Sequence, residues 1–558
     1  MWQTLARVQR LSGVARRRLG DRWAGCRARR WMARVANVDP ARLRVLPLGE
    51  GQVWEIGGRE HLQRFMAVCD TRDAEAWRSV QVEEVGGRGG AVDDGVLTWV
   101  LNRPQAMNAL SYPMAAAMRQ RYLERFASQW LVGVAAKSAG KHPPASVLFM
   151  VSSSCDAVFP VRPHLSRDES AGRWHVRPPP DSAPAAPRAR FFCAGGDVRA
   201  MYQLGLESDG YRRQRQFFAH EYMLDSLLGN GLGAVTTTSP PPVLQVSLLG
   251  GIVMGGGAGL SLHGRFRVCT EHTVFAMPEG AIGFHPDIGA TWFLPRLLQW
   301  RREGTNAPGM PEPVAVGVWL ALTGARVVGR DCLELGVATH FCPSARLCAL
   351  VEAASDAAAR AHRAGRDGHQ LAGELDALLD MFAAEAPPAE PGVLQQHGGS
   401  IEAHFSPQRH DSVLSILQSL ERAVTSSSSA PERQFAEQCL QAMRAASPLS
   451  LLVAFEAVAR QGVESPSLQA CLRREFRTTL WFLRHGDFRE GVRAQLVDKD
   501  RRPRWHSAPS VEVWLERDGA DQVRQYIRQY FTLPEGDTDL VLDGDAGADT
   551  TAHARASL

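Results

Sequence analysis

The chain has 558 residues, 45% hydrophobic and 22% charged, a balance that supports a large buried core and excludes a disordered polyelectrolyte. Its formal net charge is only +4, and its ten cysteines form no CxxC pair and no zinc-finger spacing with histidine, so no metal module is expected and the thiols read as free. The longest apolar runs, Val243 to Leu249 and Val314 to Leu322, fall well short of the roughly 20 residues that cross a bilayer, so no membrane span is expected.

The charge is unevenly placed. Residues 1–34 hold ten arginines against one acid, Asp21, an excess of nine, so the rest of the chain sums to −5. The basic character therefore belongs to the leader and gives no ground for nucleic-acid binding by the folded body. An Arg-rich, acid-poor stretch with interspersed Leu, Val, Ala and Trp, and no apolar block of roughly 7 to 15 residues, has the composition of a mitochondrial transit peptide. We take residues 1–38 as that leader and the mitochondrial matrix as the expected location.

In chain order, QVEEVGG and GVLTWVLNRP, between Val80 and Pro104, predict short strands around a glycine-rich turn, and Tyr112 to Trp130 predicts a helix. VLFMVSSS (147–154) predicts the next strand. Residues 155–189, rich in Pro, Arg and Ser, cannot bury a core and are expected to be a disordered surface insertion. Beyond FFCAGGDVRAMY lies a polar helical run, Asp209 to Leu228. A loop, the strand VLQVSLL and the glycine cluster GGIVMGGGAGLSL follow. The order strand, glycine turn, helix predicts an α/β layer architecture for a core spanning 80–345. Residues 346–535 are expected to be helical, with breaks at APPAEPG (386–392) and at Ser426 to Pro431, and residues 536–558 have the composition of a flexible tail.

Two glycine turns draw attention. In Phe192-Cys193-Ala194-Gly195-Gly196-Asp197 the glycines lie between a strand and a helix, where backbone N–H groups are left unpaired. Gly255-Gly256-Gly257-Ala258-Gly259 repeats that placement. Two such turns could each aim one N–H at the same oxygen, which is what a carbonyl turning into an oxyanion requires. Tight turns also use glycine for steric reasons alone, so the pattern by itself decides nothing. The cluster lacks the G-x-G-x-x-G frame of a dinucleotide site and the Lys-Ser/Thr pair of a P-loop. Gly259-Leu260-Ser261-Leu262-His263 begins like a nucleophile elbow, but Ser261 falls inside the predicted helix and not at a strained turn. Further on, Glu279 and Asp287 stand eight residues apart in an apolar stretch punctuated by Gly and Pro. Acids among apolar groups tend to have raised pKa values, which suits proton transfer. A first-turn acid and a helix cap are the structural explanations for the same two residues.

Together, NRPQAMNAL, FCAGGDVRAMY, GGIVMGGGAGLSLHGRFRV and FAMPEGAIGFHPDIG resemble the enoyl-CoA hydratase (crotonase) superfamily, in its order. FAHEYML (218–224) and HGDFREGVRA (485–494), closed by DKDRRPRW (498–505), are most similar to its thioester-hydrolase branch. The resemblance implies a crotonase-like spiral of ββα units with a helical C-terminal region, acting on a short hydroxyacyl-CoA thioester. Coenzyme A would be part of the substrate, and no cofactor or metal is implied. It places the oxyanion-hole amides at Gly196 and Gly256, the catalytic acids at Glu279 and Asp287, and the substrate contacts at Glu221, Gly256, Glu279 and Asp287. Hydratases of the superfamily carry a glutamate three residues past the second glycine, where this chain has Gly259, so water addition to a double bond is disfavoured. His285, Ala290 and Thr291 depart from the branch's pattern and bear on acyl preference. Two other readings remain at this level: a non-catalytic small-subunit component of the mitochondrial ribosome, with the insertion as its contact surface, and a hydratase or isomerase of the same fold. Nothing in the sequence bears on the oligomeric state.

Overall fold

The computed structural model describes residues 43–48, 53–57, 59, 80–82, 95–136, 146–152, 164–167, 174–177, 190–229, 243–300, 310–383 and 391–542. The expected leader, most of the insertion, the loop around Thr236 and residues 543–558 lie outside them.

Fourteen strands are described: β1 (Leu43–Leu48), β2 (Val53–Gly57), β3 (Val80–Val82), β4 (Val96–Leu101), β5 (Ser146–Ser152), β6 (His164–Arg167), β7 (Trp174–Arg177), β8 (Phe191–Cys193), β9 (Val243–Leu249), β10 (Ile252–Met254), β11 (Phe266–Cys269), β12 (Val274–Ala276), β13 (Val327–Val328) and β14 (His340–Phe341). The helices of the strand-rich part are α1 (Tyr112–Ala136), α2 (Val198–Leu204), α3 (Gly210–Gly229), α4 (Gly256–Leu262), α5 (Ala290–Phe293), α6 (Pro313–Thr323) and α7 (Asp331–Glu334). A large sheet runs β14-β11-β9-β5-β4-β2-β1-β3 and a small one β13-β12-β10-β8.

The winding follows from those orders. Three successive ββα units, β5-β8-α2/α3, β9-β10-α4 and β11-β12-α5, each give one strand to the large sheet and the next to the small one. β5, β9 and β11 are parallel neighbours, as are β8, β10 and β12. This is the expected spiral.

The central strands of the large sheet, β4, β5 and β9, are buried on both faces, and their near-continuous apolar sequences say why. Alternate side chains point to opposite sides. Leu97, Trp99, Leu101, Leu148 and Met150 enter the core shared with the small sheet. Val96, Val100, Val147, Phe149 and Val151 enter a second core covered by α8 (Leu347–Arg363) and α9 (Gly368–Ala383). On α8, Leu347, Leu350, Val351, Ala354 and Ala358 make the buried stripe, at the three-and-four spacing of an amphipathic helix.

Helices then continue as α10 (Val393–Phe405), α11 (Val413–Ser426), α12 (Ala430–Ala445), α13 (Pro448–Phe455), α14 (Leu468–Arg484), α15 (Gly486–Val492), α16 (Val511–Asp518) and α17 (Ala520–Gln529). Serine side chains cap five of them, Ser412, Ser429, Ser447, Ser467 and Ser510 each accepting from the N–H three residues on. Such caps satisfy the orphan amides of a helix start and fix where each helix begins.

Three expectations need correction. The core does not begin at residue 80: β2 pairs with β4, and its Glu55 is buried, accepting from the Trp99 indole at 3.1 Å and from Arg121 at 2.7 Å and Arg125 at 2.9 Å on α1. A short strand interrupted by a charge carries no periodic signal, which is why β2 escaped notice. The insertion is not wholly without secondary structure, since β6 and β7 pair antiparallel across Leu165 and Val176. The tail does not become free at 536. Asp537 accepts from the Tyr211 hydroxyl and pairs with Arg484 at 2.8 Å, Asp539 pairs with Arg477, and Leu540 and Leu542 are buried. Acidic residues facing arginines on α14, followed by two buried leucines, overrode a tail-like composition.

Among the described residues no single helix is long and apolar enough to cross a membrane, and the described cysteines are all free thiols.

Candidate active site

Parallel neighbours in a sheet lie about 4.8 Å apart, so the turns that leave the C-terminal ends of β8, β10 and β12 must meet. They carry Gly195-Gly196, Gly255-Gly256 and Glu279. A Cβ added at Gly256 would lie 3.2 Å from the Gly196 nitrogen and 2.5 Å from Oε1 of Glu221; one at Gly255, whose φ is +44°, would lie 3.2 Å from Oε1 of Glu279. The positive φ at 255 favours glycine, and a side chain at 256 would push Glu221 away and crowd the Gly196 amide. Neither the Gly196 nor the Gly256 N–H donates to a backbone carbonyl among the described residues. Two amides free to donate thus stand beside two carboxyl groups, and a small acceptor oxygen could take both.

Glu279 opens a 3₁₀ turn, Glu279–Ile282, directly after β12 and is buried; its Oε2 has no hydrogen-bond partner among the described residues. Burial pushes its carboxyl well above the usual range, and the charge of Asp287 adds to this. Glu221, on α3, is raised well above its ordinary value by burial first and Asp287 second. Asp287 is pushed up to about 8, by burial and by Glu475, against the hydrogen bond from Tyr222 that lowers it. Gly196, Gly256, Glu221, Glu279 and Asp287, all named from the sequence, are therefore gathered in one buried region.

Residues 185–517 match the family model for enoyl-CoA hydratase/isomerase. The chain belongs to this family. It is 36% identical over 326 residues to the mitochondrial 3-hydroxyisobutyryl-CoA hydrolase of Dictyostelium discoideum, covering 58% of this chain and 73% of that one. The corresponding proteins of Xenopus tropicalis and Homo sapiens are 37% and 36% identical, over 63% and 58% of this chain and 76% and 72% of theirs. Among solved structures, an enoyl-CoA hydratase from Rhodobacter sphaeroides 2.4.1 aligns with a TM-score of 0.53 at 25% identity, over 80% of this chain and 98% of that one. A carnitinyl-CoA dehydratase from Mycobacterium thermoresistibile gives a TM-score of 0.53 at 26% identity, over 81% and 97%.

Within this family fold the Asp287 loop is held from three sides. The Tyr222 hydroxyl donates to Asp287 Oδ2 at 2.6 Å and meets the Thr479 hydroxyl at 2.7 Å, which in turn meets His285 Nε2 at 2.9 Å. His263, at the end of α4, donates from Nε2 to the carbonyl of Ile288 at 2.8 Å, and burial brings its pKa down to about 4, so it is neutral. Glu475 on α14 accepts from Gly289 N at 2.6 Å, from Thr291 N at 2.8 Å and from the Thr291 hydroxyl at 2.6 Å. These contacts hold Ile288 at φ +56°, a left-handed conformation that a β-branched residue resists.

The departures noted in the sequence are absorbed here. His285 behaves as an aromatic, stacked on Phe482 at 5.1 Å and kept neutral by burial, with its pKa lowered to about 3. Thr291 supplies a hydroxyl to Glu475. Ser261 is no nucleophile: its hydroxyl donates to Gly257 O at 2.7 Å within α4. Sequence reasoning missed Tyr222, His263, Glu475 and Thr479. A signal for Glu475 existed, because it interrupts the buried stripe Leu468, Cys471, Leu472, Phe476, Leu480 of α14. An acid in such a stripe needs donors facing it.

Proposed function

We propose that this chain hydrolyses a short hydroxyacyl-CoA thioester, 3-hydroxyisobutyryl-CoA to 3-hydroxyisobutyrate and CoA, in the mitochondrial matrix. The observation that carries this reading is the meeting of the Gly196 and Gly256 amides with Glu279 at a site where position 259 brings no second acid. On this reading the thioester oxygen takes the place between the two amides, each donor being worth roughly 10²- to 10³-fold in rate as the oxyanion forms. Glu279 is the reacting carboxylate. Either it takes a proton from water that attacks the carbonyl carbon, or it attacks that carbon itself and water then cleaves the mixed anhydride; in both, the C–S bond breaks and CoA leaves as the thiol after protonation. A single turnover in heavy-oxygen water that leaves label in the Glu279 carboxyl establishes the anhydride route; unlabelled Glu279 is expected both of the base route and of an anhydride cleaved at its acyl carbon. Asp287, fixed by Tyr222, orients the acyl group and assists proton transfer, and Glu221 takes the substrate hydroxyl.

The mitochondrial location is supported by the Arg-rich composition of residues 1–38, taken as a removable leader, and by the names of the relatives. The hydratase alternative is weakened by Gly259, and nothing in the comparisons favours a ribosomal component. Release of CoA from a panel of short acyl-CoA thioesters tests the proposal. Turnover of 3-hydroxyisobutyryl-CoA well above crotonyl-CoA hydration is expected; no release from any thioester would refute it.

A further inference from the structure

One acid of the site has no role so far. Asp225 lies one helical turn beyond Glu221 on α3, is fully buried, and has no hydrogen-bond partner on either carboxyl oxygen among the described residues. A Cβ at Gly259 would stand 2.8 Å from both of those oxygens. The glycine that disfavours hydratase chemistry therefore also makes room for a carboxyl delivered from another helix. The groups facing Asp225 are Glu221 on its own helix, Asp287 from the loop, Glu475 from α14 and the Cys193 thiol at the end of β8, each acidic or neutral.

Neighbouring carboxyls in a dry site cannot all ionise. Burial, and then the charges of Glu221, Asp287 and Glu475, push Asp225 well above its ordinary range. A neutral carboxyl is a hydroxyl donor that needs an acceptor, and Oε1 of Glu221 also lacks a partner. Residues four apart on a helix have Cβ atoms roughly 5–6 Å apart, close enough for their carboxyls to share a hydrogen bond directly or through one water.

We propose that Asp225 is a positioning residue for Glu221: it fills the room left at Gly259 and shares one proton with Glu221, holding that carboxyl beside the Gly196 and Gly256 amides. This rests on the function proposed above, in which Glu221 meets the substrate hydroxyl. Asp225→Ala should then raise KM for 3-hydroxyisobutyryl-CoA roughly tenfold, change kcat less, and reduce the preference over isobutyryl-CoA. Asp225→Asn keeps a donor of the same shape and should restore most of that preference. The proposal is overturned if Asp225→Ala keeps the parent's KM and preference, or if Asn is as impaired as Ala. Two readouts need no activity, so they separate failure here from failure of the thioesterase reading. At neutral pH the infrared band of a protonated buried carboxyl should be lost in Asp225→Asn; an unchanged spectrum refutes the shared proton. Gly259→Ala should lower the unfolding midpoint in the parent but much less in Asp225→Ala, whereas equal losses in both backgrounds refute the placement.

Discussion

Glu475 offers a demanding test, because it lies far from the reaction in sequence and would act only through the Asp287 loop. Its carboxylate accepts three hydrogen bonds, at 2.6, 2.8 and 2.6 Å, two of them from backbone N–H groups of a loop held at positive φ. Removing the carboxyl strands three buried donors at about 1–3 kcal/mol each, some 3–5 kcal/mol after partial relaxation, against a total stability of about 5–15 kcal/mol. Glu475→Ala is therefore a folding mutant, and Glu475→Gln is the informative change. Glutamine keeps the shape and one acceptor, but turns an NH₂ toward a donor and loses the charge. We expect about 1–2 kcal/mol of lost stability and a kcat/KM lower by roughly 10- to 30-fold, carried mainly by kcat. The assay is CoA release by the parent, Glu475→Gln, Asp287→Asn and the double variant, with thermal melts alongside. If Glu475 acts by positioning Asp287, it should add little once Asp287 is gone. Losses in kcat that multiply in the double variant, or a lower melting midpoint with unchanged kcat, would refute this reasoning.

Glu279→Gln should lower kcat by roughly 10² to 10⁴ with KM little changed, and a variant near the parent rate places the reacting acid elsewhere. Because burial holds Glu279 well above the usual carboxylate range and it must ionise to react, kcat/KM for the parent should still climb with pH above that range; a profile already flat there counts against it. Stability should move the other way. Asp287 at about 8 and Glu475 at about 7 stay protonated in the fold above the pH at which they ionise in the unfolded chain, so their contribution is greatest in acid and is lost as pH rises to those values. His263 and His285, at about 4 and about 3, add stability only up to their ordinary value of 6.5. Between pH 6.5 and 8 the raised carboxyls act together, and denaturant melts should lose roughly 2 kcal/mol from Asp287 alone, the share of the slope that Asp287→Asn removes. A chain ending at Glu535 loses the Asp537 and Asp539 pairs and two buried leucines, at about 1.5–3 kcal/mol per leucine, and should melt well below the parent; an unchanged midpoint means the segment is not docked in solution.

Much of this was legible along the chain. Apolar strands followed by glycines, and Glu279 and Asp287 eight residues apart, report local conformation, where backbone sterics and side-chain period act over a few residues. Gly259 was readable through the family resemblance, as an acid missing. What replaced it was not: Asp225 comes to that space only because α3 packs on α4, and no rule of spacing connects residues 225 and 259. Glu221 beside Gly256, Glu475 under the Asp287 loop, Glu55 between two arginines and the acidic segment at 537–542 share that origin. Each is a polar or charged group matched to partners from a distant element. Local sequence can signal that such a group is out of place, but which donors or acids stand opposite it is set when helices and sheets pack.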